Sequence, residues 1–165
     1  EIASTVASSD GVMYVPALFG LGTPHWDYGA RGALLGITRG TTRAHIARAV
    51  VESMVFQTRD AIDAMTQASG VPLGELRVDG GACVMDFMLQ HQANELAVPV
   101  LRPVDTESTA LGAAFLAGLA VGVWPSLESI SQTWRLDRRF EPGALSGNYA
   151  EWTRAVQRSL RWDTD

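Results

Sequence analysis

No lysine occurs in the 165 residues; all 13 basic side chains are arginine. That absence excludes several chemistries. A P-loop needs a Lys against the nucleotide phosphates. A protein kinase needs its strand Lys, and a class A β-lactamase needs the Lys of S-x-x-K. A Schiff-base enzyme needs a free amine. A GC-rich codon preference would also explain the missing lysines, and the exclusions hold under either cause. Cysteine is nearly as scarce. Cys83 stands alone and has no partner for an internal disulfide, so a reducing compartment, the cytoplasm, is the expectation. Long apolar runs are missing too. The least polar stretch, Ala110 to Trp124, falls short of the roughly 20 residues of a membrane span. No basic and then apolar leader opens the chain. The first residue is Glu rather than Met, which fits a processed chain or a piece of a longer one.

What is present is an acidic, core-forming sequence. Apolar residues make up 47 % of it, and the net charge is −5. The acidic balance argues against nucleic acid or an anionic membrane as the main partner. Residues 12–17 read as a strand ended by Pro16, and Ala33 to Ile37 as a second, within a Gly-rich stretch of turns over 18–42. Thr41 or Thr42 then caps a helix over about 43–68, with Ile46, Val50, Met54, Ala61 and Met65 as its apolar stripe. Gly70 and Pro72 end it. Strands at 75–79 and 98–102 flank a helix at 84–96, which turns Met85, Leu89, Ala93 and Leu96 to one side. A helix over about 107–122 follows, capped by Thr106 or Ser108. A charged edge strand over 134–140 and a helix over 148–161 complete the chain. Tyr149, Trp152, Val156 and Leu160 face inward there, and Arg154, Arg158 and Arg161 face water. The alternation predicts an α/β layer fold with at least partly parallel pairing.

The most informative constellation is Val78-Asp79-Gly80-Gly81-Ala82, at a strand-to-helix switch. Two glycines let the backbone turn sharply and approach a ligand without Cβ clashes. A helix starting there offers free N–H groups to a phosphate, and ligands of open α/β sheets bind at such turns. A tight turn with no ligand is the alternative. Asp79 either contacts a nucleotide or its metal through water, or holds the loop. Gly20-Leu21-Gly22 does not continue as G-x-G-x-x-G, because position 25 is His, so the dinucleotide reading fails. His25, His45 and His91 show no metal spacing, and His45 and His91 read as structural. Cys83 reads as a small core residue. Asp27 and Asp60 are the carboxylates a catalytic reading would pick, although Asp27 also suits a turn.

Three stretches carry a family resemblance. Gly32-Ala33-Leu34-Leu35-Gly36-Ile37, seven further residues, then His45-Ile46-Ala47-Arg48-Ala49-Val50-Val51-Glu52 fit at every position the second signature of the FGGY carbohydrate kinases. Arg77 to Ala82 with Phe87 and Gln90, and Glu107 to Ala114 with Ala117-Gly118, resemble the same family. Within it, Val15-Pro16-Ala17, Gly20-Leu21-Gly22, Trp26-Asp27, Ala30-Arg31-Gly32 and the Asp-Gly-Gly-Ala turn are most similar to members that phosphorylate glycerol. Pentulose-phosphorylating members share the flavour of residues 23–27 but usually carry a turn without that Asp.

The likeness spans about residues 12–162 and corresponds to the last third of a typical member. It implies an actin-like, ribonuclease H-like ATPase fold with a mixed sheet flanked by helices, present here in part as a nucleotide-binding portion over 1–165. It implies ATP with Mg²⁺, a glycerol substrate held by residues outside this segment, and a cytoplasmic enzyme that uses no P-loop Lys. A partial domain with an uncovered edge also invites self-association. The resemblance places no catalytic residue and no metal ligand in this segment. By the same resemblance, Gly80, Gly81 and Ala82 are expected to line the adenosine and phosphate end of ATP. Met85 stands where the family usually has an Asn near the adenine; Met covers a purine face but donates no amide hydrogen bond. Asp86 beside it is able to take part of that polar role. A binding module that keeps the fold without catalysis, or a pentulose kinase of the same family, remains the alternative.

Overall fold

The computed structural model describes residues 1–145 and 147–163. Positions 146, 164 and 165 of the expected 1–165 unit lie outside the described residues. A single helix, α1 (Arg43–Ser69), organises the rest. Thr42 is its N-cap, and the Thr42 N–H donates to His45 Nδ1 at 3.1 Å. Gly70 ends it in the left-handed region at φ 70, its N–H reaching the Thr66 carbonyl at 2.9 Å.

Two sheets lie against α1. The first is an antiparallel pair, β1 (Met13–Val15) and β2 (Ala33–Leu35), with Met13 opposite Leu35 and Val15 opposite Ala33. Gly36 follows β2 at φ +78, and a Cβ there would sit 2.0 Å from the Gly11 carbonyl oxygen, so only glycine fits. The second sheet has the order β3-β4-β5, from Leu76–Arg77, Val100–Pro103 and Leu136–Phe140. β3 and β4 are parallel and joined through α2 (Asp86–Leu96); β5 returns antiparallel at the edge, exposed except for Phe140. Three helices complete the order: α3 (Ser108–Ala120), the unanticipated short α4 (Leu127–Ser131), and α5 (Tyr149–Ser159). Arg154, Arg158 and Arg161 face water, as expected.

Two cores result. Val51, Val55, Cys83, Leu89, Ala93, Val100 and Phe140 fill one, between α1, α2 and the three-stranded sheet. Met13, Val15, Phe56, Trp152, Ala155 and Val156 fill the other, between α1, α5 and the hairpin. Val55 and Phe56 are neighbours about 100° apart on the helix, and each enters a different core.

That double duty corrects the expected stripe of α1. Met54 and Met65 are exposed, and the buried face is Arg48, Ala49, Val51, Glu52, Ser53, Val55, Phe56 and Asp60. Apolar periodicity assigns charges to water. Here they are buried because they are paired. Arg48 Nε donates to Glu52 Oε1 at 2.6 Å, and Trp152 Nε1 donates to Asp60 Oδ2 at 2.9 Å. The cap of α3 is also corrected. Glu107 occupies that position without a side-chain bond, while the Glu107 N–H donates to Asp105 Oδ1 at 3.0 Å. That bond sets the entry to the helix and leaves neither Thr106 nor Ser108 a capping role.

Candidate nucleotide-binding turn

Because β3 and β4 are parallel, their carboxyl ends open on one side of the sheet. Gly80 follows β3 at φ +80, a conformation glycine adopts without strain. The Gly80 N–H donates to the Thr106 carbonyl at 2.8 Å, tying this turn to the loop that follows β4. Residues Gly81–Val84 then form one 3₁₀ turn, closed by Cys83 N–H to the Gly80 carbonyl at 3.1 Å.

This 3₁₀ turn revises the expected helix start. α2 begins at Asp86 instead of 84, since Met85 holds non-helical angles. Its amino end is therefore five residues beyond Gly81, and its first residue is itself an acid. The amides nearest the glycine pair are those of Gly81 and Ala82, at the head of the 3₁₀ turn ahead of its first internal bond. Gly81 and Ala82 are exposed, and no atom lies within 4 Å of where a Cβ on Gly80 or Gly81 would stand. The surface above the turn is open to a ligand. Met85 is half-buried and packs against the first core, so only part of its side chain remains outward. The structure thus brings Gly80, Gly81 and Ala82 together at one strand end and turns Met85 partly away from them.

Arg102 on β4 was not singled out in the sequence. The signal was there: it is the one charged residue in Val100-Leu101-Arg102-Pro103. Its guanidinium donates to the Cys83 carbonyl at 3.1 Å, to Asp86 Oδ1 at 2.7 Å and to Asp137 Oδ2 at 2.7 Å. Arg138 also pairs with Asp86. The bonds to Asp137 and Asp86 push the Arg102 pKa still higher than usual. An open groove of about 630 Å³, lined by Val84, Asp86, Arg102, Val104, Thr106 and Asp137, runs beside the turn. Gly80, Gly81, Ala82 and Met85 are not among its lining residues. A second hollow of about 460 Å³ lies between α3 and α4, walled by Leu111, Phe115 and Trp134.

The carboxylates that caught attention in the sequence are structural. Asp27 Oδ1 accepts from Gly29 N–H at 2.8 Å, and Oδ2 accepts from Arg161 N–H at 2.7 Å, so it shapes its turn and tethers the chain after α5. Asp60 accepts from Trp152 and from the Tyr149 hydroxyl, whose pKa is driven up by burial and by that carboxylate. His25 Nε2 lies 3.9 Å from Asp60 Oδ2, buried without a hydrogen-bond partner among the described residues. Cys83 is 1 % exposed, a core residue as expected, and desolvation raises its thiol pKa. Asp79 is exposed at the tip of the turn.

Comparison with known proteins settles the family. The model of the C-terminal domain of the FGGY family of carbohydrate kinases matches residues 1–121. The chain belongs to the FGGY carbohydrate kinases. It is 54 % identical to glycerol kinase 2 of Thermotoga maritima over 99 % of this chain, and 56 % identical to glycerol kinase of Dechloromonas aromatica over 98 %. It spans about a third of the length of these FGGY relatives. The crystal structure of Plasmodium falciparum glycerol kinase with ADP superposes with a TM-score of 0.82 at 35 % identity, over 96 % of this chain and 33 % of that one. A xylulose kinase from Lactobacillus acidophilus follows with a TM-score of 0.74 at 30 % identity, over 96 % of this chain and 32 % of that one. The fold is therefore that of the actin-like FGGY kinases, a mixed sheet flanked by helices.

Proposed function

We propose that this chain is the C-terminal, nucleotide-binding portion of an ATP-dependent glycerol kinase, which converts glycerol and ATP to glycerol 3-phosphate and ADP. The observation that carries this reading is the identity of 54–56 % to glycerol kinases along nearly the whole chain. Between the two solved structures the glycerol kinase also matches better than the xylulose kinase, 35 % against 30 % identity, which disfavours the pentulose reading. The identity to enzymes also disfavours a module without catalysis.

In this reading Gly81 and Ala82 present backbone amides to the phosphate side of ATP, Gly80 supplies the bend while its own N–H is held by the Thr106 carbonyl, and the exposed part of Met85 lies against the base. Backbone N–H groups at such a turn stabilise phosphate charge without any lysine. Mg²⁺ comes with the nucleotide in this reading, and no residue of this chain is assigned to it. The ion, when bound, neutralises charge that develops on the transferred phosphoryl group. The catalytic base and the glycerol pocket belong to sequence outside this chain. No described helix is long and apolar enough to cross a membrane. In this reading the enzyme works in the cytoplasm as a homo-oligomer.

Product assays on the protein expressed from its complete gene test the substrate. Phosphorylation of glycerol in clear preference to xylulose and ribulose is expected; preference for a pentulose would overturn the assignment. The 165-residue chain alone should show no glycerol turnover above a heat-killed control. Turnover by it would mean that the base lies within these residues.

A further inference from the structure

We propose that Arg102 is a positioning residue for nucleotide binding, holding the Gly80–Ala82 turn in its working shape from the neighbouring strand. The proposal rests on the reading of that turn as the ATP site.

The 3₁₀ turn has two ends. Its head is fixed by the Gly80 N–H to the Thr106 carbonyl, 2.8 Å. Its tail carries the Cys83 carbonyl, and Arg102 donates to it at 3.1 Å. The same guanidinium binds Asp86, the first residue of α2, and Asp137 on β5. One side chain on β4 therefore joins the tail of the turn, the start of the next helix and the edge strand. A planar guanidinium with five donors meets three acceptors lying in different directions; a Lys ammonium on a flexible stem does not reproduce that fork.

Charge adds a second reason. Asp86 stands five residues after Gly81, on the approach to the turn, and an unpaired carboxylate there would oppose incoming phosphate. Arg102 and Arg138 both pair with it. The carboxylate ends of this cluster are open to water, Asp86 and Asp137 being 49 % and 45 % exposed, whereas Arg102 itself is 15 % exposed. Loss of Arg102 should therefore carry some folding cost, and a positioning role shows as a change in nucleotide binding that the glycerol site does not share.

The test uses Arg102→Lys and Arg102→Gln in the protein expressed from its complete gene. Readouts are the KM for ATP, the KM for glycerol, ADP affinity by calorimetry and the melting temperature. Both variants should raise the ATP KM and weaken ADP by about tenfold, equivalent to about 1.4 kcal/mol. The glycerol KM should hold, and both variants should remain folded at the assay temperature. An unchanged ATP KM in both Arg102 variants, a parallel rise in both KM values, or failure of both variants to fold would overturn the proposal. Gly81→Val separates the two levels of inference. If it leaves ADP binding intact, the nucleotide reading of the turn is wrong, and Arg102 falls with it. If it abolishes binding while the Arg102 variants bind normally, only the positioning role is wrong.

Discussion

Acid should loosen α2 from α1 through His91. His91 is 9 % exposed, and Arg48 Nη2 lies 2.7 Å from its Nε2. Phe87 lies edge-on to the ring at 4.6 Å, and the Arg48 guanidinium also stacks on Phe87. A neutral imidazole accepts a hydrogen bond from the guanidinium through Nε2; a protonated one loses that lone pair and adds a like charge. Burial first, and then the Arg48 charge, lower the His91 pKa from 6.5 to about 4.

The sign follows from linkage. Above pH 6.5 neither folded nor unfolded chain protonates this histidine, and it contributes no pH dependence. Between 6.5 and about 4 the unfolded chain takes up the proton and the folded chain refuses it, so stability falls as pH falls. Below about 4 the loss is complete. At about 1.4 kcal/mol per pH decade, the whole window amounts to roughly 3 kcal/mol, a large share of the 5–15 kcal/mol typical of a domain.

Urea unfolding of the parent chain and of His91→Gln, measured from pH 7.5 to pH 4, isolates this contribution. Gln accepts from Arg48 without titrating, and every carboxylate titrates in both proteins and cancels in the difference. The unfolding free energies of the two should diverge by roughly 3 kcal/mol toward pH 4, the variant being the flatter. Parallel profiles across that range would refute the reasoning and mean that His91 protonates freely in the folded chain.

Two other substitutions test the packing of α1 and its surroundings. Glu52→Gln strands the buried Arg48, whose Nε donates to Glu52 Oε1 at 2.6 Å, and should lower stability by about 3–5 kcal/mol in urea unfolding; a loss under about 1 kcal/mol would mean that water reaches the pair. Gly36→Ala must accommodate a Cβ at 2.0 Å from the Gly11 carbonyl oxygen and a left-handed backbone at φ +78, so it should cost about 2 kcal/mol or more in the same measurement. Equal stability of Gly36→Ala would show that the segments around Gly11 and Gly36 separate easily.

Element order was legible because local signals agreed with one another. Thr42, Gly70 and the turn after β3 punctuate the chain where helix and strand end. Faces were less legible, and α1 shows why. A helix that serves one core displays a single apolar stripe. α1 serves two, and it buries Arg48, Glu52 and Asp60 by pairing them with His91, with each other and with Trp152 from α5. Those partners lie up to 92 residues away along the chain, beyond the reach of any periodicity.

The turn itself divides along the same line. Gly80-Gly81 announces a sharp bend because glycine is a local requirement, and the bend lies at the end of β3, as the sequence suggests. What holds the bend is not local. Thr106 and Arg102 come from β4 and the loop after it, brought alongside by parallel pairing. The helix start moved for a related reason. Asp86 is drawn to Arg102 and Arg138, so α2 begins with an anchored acid, and the amides near the glycines belong to a short 3₁₀ turn instead. A phosphate at this place would then be met by a few backbone amides whose direction is set from the next strand, more than by the dipole of α2. On that account, nucleotide affinity in this family member should respond to changes on β4 that never touch the nucleotide.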